Sequence, residues 1–423
     1  MKIGQVPYAS APIRDILTFM QVPLSLYVHI PFCRRRCGYC DFNTYAGMES
    51  WIAHYSAALK QEITEVALAA GARLPVGTVF WGGGTPSLLP IEQIALIQNA
   101  YSQYYALLSD VEITLEANPG TVSLSWLTEL RRLGFNRLSF GMQSANPDEL
   151  HLLDRAHAPR DVQSAVAWSR QAGFDNLNLD LIYGLPNQRL SDWQNTLSAA
   201  LQLEPEHLSL YSLIVEPGTP LAAQVEAGRL PLPDDDLAAD MMDLAAEVLS
   251  AAGFVQYEIS NFARGLEHSC RHNLQYWRNL PYLGFGAGAH GSAAGWRTAN
   301  LASISAYLNA LTTSSEWPAY PFSPANAERN PIDRWTEVQE TLMVGLRLTH
   351  EGVSLKGFAD RFGMDLMALF GATIDRLQAQ GLLEWAELEF GKALRLTSHG
   401  RLLGNQVFAA FIGDPEPPLF HNH

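Results

Sequence analysis

The chain has 423 residues, of which 48% are apolar and 17% are charged, and its formal net charge is −15. This composition excludes an extensively disordered protein and provides apolar side chains for a large core, while the length suggests two domains. The negative balance argues against nucleic acid as a partner, because a basic face is needed to neutralise phosphates.

No membrane segment and no signal peptide are predicted. The apolar runs are interrupted by charged residues or helix breakers before they reach the length that spans a bilayer. The N-terminal stretch lacks the charged and then apolar layout of a signal peptide. We therefore expect a cytoplasmic protein.

Residues 26 to 216 repeat one pattern, a short β-branched or aromatic run followed by an amphipathic stretch of helical period. The strand candidates are 26–30, 78–83, 111–119, 137–144, 176–184 and 207–215. Strands that alternate with helices predict a parallel sheet, and six such units indicate an α/β fold with a partial (β/α)6 barrel. Chemistry is expected at the carboxyl ends of these strands.

The predicted organisation has four parts: an N-terminal extension (1–25), the barrel (26–216), a segment that wraps around it (217–320) and a C-terminal domain (321–423). The last boundary lies in a stretch rich in Pro and Asn, after which helical patterns resume. The order helix, helix, hairpin, helix predicts a mostly helical, winged-helix-like domain. Since it lacks a basic recognition helix, we expect an interaction or lid domain rather than a DNA-binding module.

Three of the four cysteines, Cys33, Cys37 and Cys40, follow the first predicted strand with the spacing C-x3-C-x2-C. Reduced thiols grouped in this way point to metal or redox chemistry rather than to disulfides. Three thiolates on one loop can ligate a [4Fe–4S] cluster and leave its fourth iron open. The alternative is a structural zinc site completed by His29 or Asp41. Such zinc sites usually use two separated ligand pairs, so the spacing favours the cluster.

The cysteine loop and its flank YVHIPFC resemble the radical S-adenosylmethionine (SAM) superfamily, in which SAM chelates the open iron of such a cluster. Further motifs occur in the order found in the anaerobic coproporphyrinogen III oxidase family, namely WGGGTPS (81–87), LEANP (115–119), SFGMQS (139–144), LLDRAH (152–157) and NLDLIYGLP (178–186). The resemblance implies a [4Fe–4S] cluster on the three cysteines and SAM as a second cofactor.

The resemblance also implies a set of SAM contacts, with Tyr39 near the adenine. These contacts are Tyr27, Tyr39, Gly83, Gly84, Thr85, Glu116, Gln143, Arg155 and Asp180. The residues themselves allow plainer interpretations: a glycine run suits an ordinary turn, a lone polar residue at a strand end is often a helix cap, and a helix arginine is often exposed. Several polar strand ends around one cysteine loop favour a ligand site.

The family contains the oxidase and the HemW group of heme chaperones, and the residues before the first predicted strand do not resemble the oxidase's N-terminal segment, which is rich in Tyr and Pro. The oxidase has a further cysteine two residues after the third, where this chain has Phe42. The segment CRHNLQYW, residues 270–277, resembles the H-N-x-x-Y-W motif of the chaperones and makes His272 the candidate heme ligand. From the residues alone, a histidine beside aromatic residues is more often packed in a core. His290 is a second candidate, and Cys270 is best interpreted as a buried, unreactive thiol.

We therefore predict a heme chaperone that binds heme, a [4Fe–4S] cluster and exchangeable SAM, and that transfers heme to acceptor proteins, with transient contact to membrane-bound acceptors. No catalytic residue is assigned. The alternative is an oxygen-independent coproporphyrinogen III oxidase, which decarboxylates two propionates. The arginines of CRRRC can attract an acidic flavodoxin or ferredoxin as reductant, or can form a solvated loop.

Overall fold

The structure is a computed structural model that describes residues 22–389 and 391–413. Most of the predicted N-terminal extension, residues 1–25, lies outside the described residues, and the first strand already begins at Leu24. The chain forms an α/β fold in which a large sheet is surrounded by helices and followed by a smaller, mostly helical part. The predicted fold class is confirmed.

The strands of the described residues are, in chain order, β1 (Leu24–Ile30), β2 (Phe32–Cys33), β3 (Tyr45–Ala46), β4 (Pro75–Gly83), β5 (Ala106–Ala117), β6 (Arg137–Gln143), β7 (Leu177–Tyr183), β8 (His207–Ser212), β9 (Phe254–Gln256), β10 (Asn261–Arg264), β11 (Tyr282–Phe285), β12 (His290–Ala293), β13 (Trp296–Asn300), β14 (Asn326–Pro331), β15 (Val353–Ser354), β16 (Leu383–Leu388) and β17 (Gly391–Leu396). The six predicted strands correspond to β1, β4, β5, β6, β7 and β8. They run parallel in this order, so all six carboxyl ends lie on one side of the sheet.

The predicted wrap-around segment extends the sheet at both edges. On one side β11 pairs parallel with β1 and continues antiparallel through β12 and β13 to β14. On the other side β10 and β9 pair antiparallel beyond β8. The parallel strands are thereby buried as central strands, which agrees with their nearly continuous apolar sequences.

The helices are, in chain order, α1 (Ile52–Ala69), α2 (Ile91–Tyr104), α3 (Leu124–Arg132), α4 (Pro147–Leu152), α5 (Pro159–Gln171), α6 (Leu190–Gln202), α7 (Pro220–Glu226), α8 (Asp235–Ala251), α9 (Arg271–Trp277), α10 (Ile304–Thr313), α11 (Arg334–Gly345), α12 (Leu355–Phe362), α13 (Leu366–Ala379), α14 (Ser398–Leu402) and α15 (Gly404–Ala409). Helix α3 illustrates how the sequence sets them. The Ser123 hydroxyl accepts from the Trp126 N–H at its start, and Gly134 follows its end with a φ of +96°. Leu127 and Leu130 face the core.

A buried carboxylate on α1 fastens the wrap-around segment to the barrel. Glu62 accepts hydrogen bonds from Gly286 N–H at 2.9 Å, Tyr307 Oη at 2.7 Å, Asn300 Nδ2 at 2.9 Å and Ser323 Oγ at 2.7 Å. Full satisfaction of its oxygens is what makes burial of a carboxyl group tolerable. This contact explains why the charged residue interrupts an otherwise apolar helix face.

The C-terminal part has a second hydrophobic core, to which Val338, Leu342, Phe370 and Leu394 contribute. Helices α12 and α13, the β16–β17 hairpin and α14 and α15 follow one another in the predicted order. The predicted boundary at residue 321 is wrong, because β14 still pairs with β13 of the large sheet. Strand β14 is largely exposed and lacks apolar alternation, so the sequence carried no strand signal there. Among the described residues, no helix combines the length and the apolarity that a bilayer span requires.

Candidate functional site

The cysteine loop leaves the carboxyl end of β1 and presents its three sulfur atoms to a cavity of about 420 Å³. Cys33, Cys37 and Cys40 are free thiols and half-buried. The Thr85 hydroxyl donates to Cys33 Sγ at 3.5 Å, and Arg155 Nη1 donates to Cys37 Sγ at 3.5 Å. Burial raises the pKa of the Cys33 and Cys40 thiols. Donors aimed at the sulfurs favour the thiolate form, which is the form that binds iron.

Two glycines at the end of β4 allow the loop to approach this closely. The Gly84 N–H donates to the Ile30 carbonyl at 2.8 Å, and a Cβ at Gly84 would lie 2.7 Å from the Phe32 carbonyl oxygen. Gly83 has a φ of +110°, and a Cβ there would lie 2.4 Å from the His29 ring. A side chain at Gly84 would therefore displace the backbone that leads into the cysteine loop, and one at Gly83 would displace the His29 ring.

The zinc alternative does not match the geometry. Within residues 22–389 and 391–413, no three Cys, His, Asp or Glu side chains are grouped as ligands of one metal ion. Both ring nitrogens of His29 are already hydrogen-bonded, Nδ1 to Tyr27 Oη at 2.9 Å and Nε2 to the Asn43 carbonyl at 3.0 Å. Each cysteine of a [4Fe–4S] cluster ligates a different iron, so its sulfur atoms need not converge on one point. The residues present therefore fit a cluster better than zinc.

The cavity lies between the cysteine loop and the carboxyl ends of the parallel strands. Its volume of about 420 Å³ falls within the range of cofactor pockets, roughly 300–1,000 Å³. Besides the three cysteines, the structure brings eight of the nine predicted SAM contacts to its wall: Tyr39, Gly83, Gly84, Thr85, Glu116, Gln143, Arg155 and Asp180. Parallel topology explains this gathering of residues that are distant in sequence.

Two carboxyl groups form the floor of the cavity. Glu116 Oε2 accepts from the Gly83 N–H at 3.2 Å, and Asp180 accepts from Ser139 Oγ at 2.9 Å and Asn178 Nδ2 at 2.8 Å. Burial, and secondly the nearby charge of Asp180, raises the pKa of Glu116 to about 8. Burial also raises the pKa of Asp180. A cationic group in this cavity would favour ionisation of both carboxyls.

Arg155 brings a buried guanidinium to the same wall. Its Nη2 donates to the Gly141 carbonyl at 3.0 Å, whereas its Nε is buried without a partner in the described part of the chain. Gln143 ends β6 with a φ of +64°, a left-handed conformation that is uncommon for a residue other than glycine. An unpaired N–H on a buried cation is a ready donor to an anionic ligand group.

Tyr27, the ninth predicted contact, lies behind this cavity. It lines an inner cavity of about 150 Å³ that shares Glu116 and Asp180 with the main one. Its hydroxyl is 2.9 Å from His29 Nδ1, and His29 Nε2 faces the Asn43 carbonyl. Nε2 therefore carries the proton and Tyr27 donates to Nδ1, so in this structure Tyr27 orients His29 beneath Gly83.

Helix α9, which contains the HNLQYW segment, lies at the amino ends of the strands, opposite the cysteine loop. Glu112 of β5 accepts from the N–H groups of Arg271 at 3.0 Å and His272 at 3.1 Å, which caps the helix. The His272 side chain points into the barrel and is only 1% exposed. Its Nδ1 is 2.7 Å from Thr78 Oγ1, and its Nε2 is 2.8 Å from Tyr276 Oη.

His272 therefore occupies the position that the plainer interpretation describes, a packed and hydrogen-bonded core residue. Burial, and then the charge of Arg137, lowers its pKa to about 3, so the ring is neutral. Iron could reach a ring nitrogen only if the hydrogen bond to Thr78 or to Tyr276 broke. The inner cavity of about 150 Å³ is also smaller than the pockets that hold drug-sized ligands. Cys270 is buried beside Glu112, with a pKa raised to about 12 by burial. His290 is exposed at the start of β12.

A polar layer inside the barrel was missed by the sequence analysis. It consists of Arg137, Ser139, Asn178 and Ser209, all of which line the inner cavity. Arg137 is 2% exposed, and no partner for its Nε lies in the described part of the protein. The signal was available, since RLSFG and NLNLD alternate polar and apolar residues, which places the polar ones on the inner face of β6 and β7.

Comparisons with known proteins agree with the motifs. The family model described as the radical SAM superfamily matches residues 27–200, and that of the HemN C-terminal domain matches residues 332–403. The chain is 39% identical over 392 residues to the heme chaperone HemW of Bacillus subtilis, covering 92% of this chain and 99% of that protein. It is 37% identical over 402 residues to the heme chaperone HemW of Mycobacterium tuberculosis strain H37Rv, covering 92% and 95%.

Among solved structures, the chain is similar to the coproporphyrinogen III oxidase HemN from Escherichia coli, described as a radical SAM enzyme. The TM-score is 0.78 at 24% sequence identity, and the match covers 95% of this chain and 93% of that one. At this identity the match demonstrates a shared fold. It does not distinguish an oxidase from a chaperone, since one fold can carry different functions.

Proposed function

We propose that this chain, which belongs to the radical SAM superfamily and to its HemW family, is a heme chaperone with a [4Fe–4S] cluster and exchangeable SAM. The observation that carries the proposal is the cavity in which three free cysteines meet eight predicted SAM contacts. The heme chaperone role in this proposal is supported by relatives with that name, because the match to one of them spans 99% of its length.

Cys33, Cys37 and Cys40 would hold the cluster, with the Thr85 hydroxyl and the Arg155 guanidinium beside two of the sulfurs. When bound, such a cluster supplies an open iron that SAM can chelate and an electron that can cleave it. The half-buried cysteines and the glycine end of β4 leave room for the cluster on the cavity side of the loop.

The remaining wall offers a complementary group for each end of SAM. Glu116 and Asp180 are acceptors for ammonium or ribose hydroxyl groups, and the unpaired Nε of Arg155 is a donor for the SAM carboxylate. Backbone at Gly83 and Gly84, together with Thr85 and Gln143, would line the methionine and ribose, and Tyr39 would pack near the adenine. Tyr27 would influence the SAM site indirectly, through its hydrogen bond to His29 and through Glu116, which lines both cavities.

Heme is proposed as cargo that is passed on to acceptor proteins. His272 stays the ligand candidate that the family motif suggests, and its use requires the Thr78 or Tyr276 hydrogen bond to break. A Soret band of heme-loaded protein that shifts in His272→Ala would support this ligand. An unchanged band in that variant would remove it. A flavodoxin or ferredoxin reductant and a cytoplasmic location stay predictions.

The test separates the chaperone from the oxidase by product analysis. Anaerobically reconstituted protein is incubated with coproporphyrinogen III, SAM and a reductant, and in parallel heme-loaded protein is mixed with an apo-hemoprotein. The chaperone predicts no protoporphyrinogen above background and a heme transfer that is faster than from heme-loaded serum albumin. Protoporphyrinogen formation would favour the oxidase, and transfer no faster than from albumin would contradict a dedicated chaperone.

A further inference from the structure

Two large apolar side chains stand exposed at the mouth of the cysteine cavity. Phe42, two residues after Cys40, is 65% exposed, and Ile214, two residues after the end of β8, is 67% exposed. Both line the 420 Å³ cavity, although they come from opposite ends of the barrel sequence. Two exposed apolar side chains that line one cofactor-sized cavity offer apolar surface to whatever covers its mouth.

A cation lines the same cavity as these two apolar side chains. Among the described residues, the guanidinium of Arg36 makes one long contact of 3.4 Å, from Nη2 to the Phe42 carbonyl. In the described ranges of the chain it forms no ion pair, whereas its neighbour Arg35 is paired with Asp154. Two acidic side chains, Asp41 and Glu216, share the rim, so the mouth is not a broadly basic surface.

This combination matches heme in its chemistry. A porphyrin has two flat apolar faces and carries its propionates along one edge, which suits two apolar contacts flanked by a single free guanidinium. An acidic reductant protein calls for a wider basic patch, so the carboxylates of Asp41 and Glu216 make heme the better match for this mouth. His272 is a poor first contact for heme, because it is buried at the opposite end of the barrel.

We propose that heme docks at the mouth of the cysteine cavity, with one face of the macrocycle on Phe42 and Ile214 and one propionate on Arg36. The proposal rests on the heme-binding function proposed above and names its site. These contacts involve the macrocycle and a carboxylate and need no iron ligand. Bound there, heme would close the cavity over the cluster and SAM.

The experiment measures binding of hemin and of metal-free protoporphyrin IX to anaerobic, cluster-loaded protein. The variants are Phe42→Ser, Ile214→Ser and Arg36→Gln. The matched controls are Leu232→Ser, an apolar residue that is 71% exposed, and Arg229→Gln, an exposed arginine, neither of which lines the cavity. Iron, sulfide and SAM binding are measured in each variant, so that damage to the cysteine loop is recognised.

We expect wild-type protein to bind both porphyrins, and each rim variant to bind them about tenfold more weakly with an intact cluster. Protoporphyrin dimethyl ester should bind wild-type protein and Arg36→Gln equally. Rim variants that bind like wild-type protein, or wild-type protein that binds hemin but not protoporphyrin, would overturn this site and leave the chaperone function standing. Wild-type protein that binds neither porphyrin would instead refute the chaperone function itself.

Discussion

The carboxyl group of Glu116 is expected to lower the stability of the fold at neutral pH while favouring the binding of SAM. The group lies in the cavity floor, where burial and the neighbouring Asp180 raise its pKa to about 8 from an ordinary value of 4.5. Replacing it with glutamine keeps an oxygen that can accept from the Gly83 N–H and mimics the protonated acid. Glu116→Gln should therefore stabilise the SAM-free protein while weakening SAM binding.

The sign and size of the effect follow from linkage. A carboxyl whose pKa is raised by folding contributes its full stability below pH 4.5 and loses it as the pH rises through 8. Each pH unit in this window corresponds to about 1.4 kcal/mol. At pH 7 the wild-type fold thus carries a penalty of up to roughly 3 kcal/mol that the glutamine variant lacks.

The assay is urea unfolding of cluster-loaded, SAM-free protein between pH 5 and pH 8, with SAM affinity measured in parallel. The stability advantage of Glu116→Gln should grow steadily across this range, and at pH 8 the variant should bind SAM more weakly than wild-type protein does. Glu129→Gln, at an exposed helix position paired with Arg132, serves as the control and should show no such trend. A stability difference between wild type and Glu116→Gln that does not change with pH would refute the reasoning.

Three further substitutions test the cysteine loop and the SAM wall. Cys37→Ala should abolish bound iron and sulfide, while Cys270→Ala, a buried thiol outside the cavity, should retain both; equal losses would contradict the assignment of the loop. Gly84→Ala should lose the cluster because its Cβ would press on the loop backbone, whereas Gly120→Ala, whose nearest neighbour lies at 3.7 Å, should keep it. Arg155→Met should weaken SAM binding about 30-fold, as expected for a lost charged hydrogen bond, and the affinity is measured on samples with matched iron content because Arg155 also donates to Cys37 Sγ. Isothermal titration that finds wild-type affinity in this variant would rule out the carboxylate contact.

The barrel and most of its ligand wall could be predicted because local patterns determine them. Apolar runs fixed six strands, and parallel topology placed the residues at their ends around one cavity. The C-terminal boundary was misplaced since β14 is a polar, exposed edge strand whose pairing with β13 depends on the tertiary fold. Hydrogen bonding across the sheet, rather than burial of its own side chains, forms this strand.

The environment of His272 could not be obtained from its motif. A histidine next to aromatic residues is compatible with both a ligand and a core residue, and only the placement of α9 against Glu112 decides which contacts it makes. For Phe42 the residue type was informative, whereas its surroundings could not be predicted. Its identity suggested the subfamily, but only the fold places it on the same cavity as Ile214, which is far away in sequence.

The most direct test of the account is an anaerobic titration of cluster-loaded protein with hemin, followed by Soret absorbance against a protein-free reference. A heme chaperone with one site predicts a saturable band that reaches its plateau at one heme per chain, with iron and sulfide of the cluster retained. A Soret signal that grows without saturation, like that of hemin adsorbed on any protein surface, would contradict the central claim.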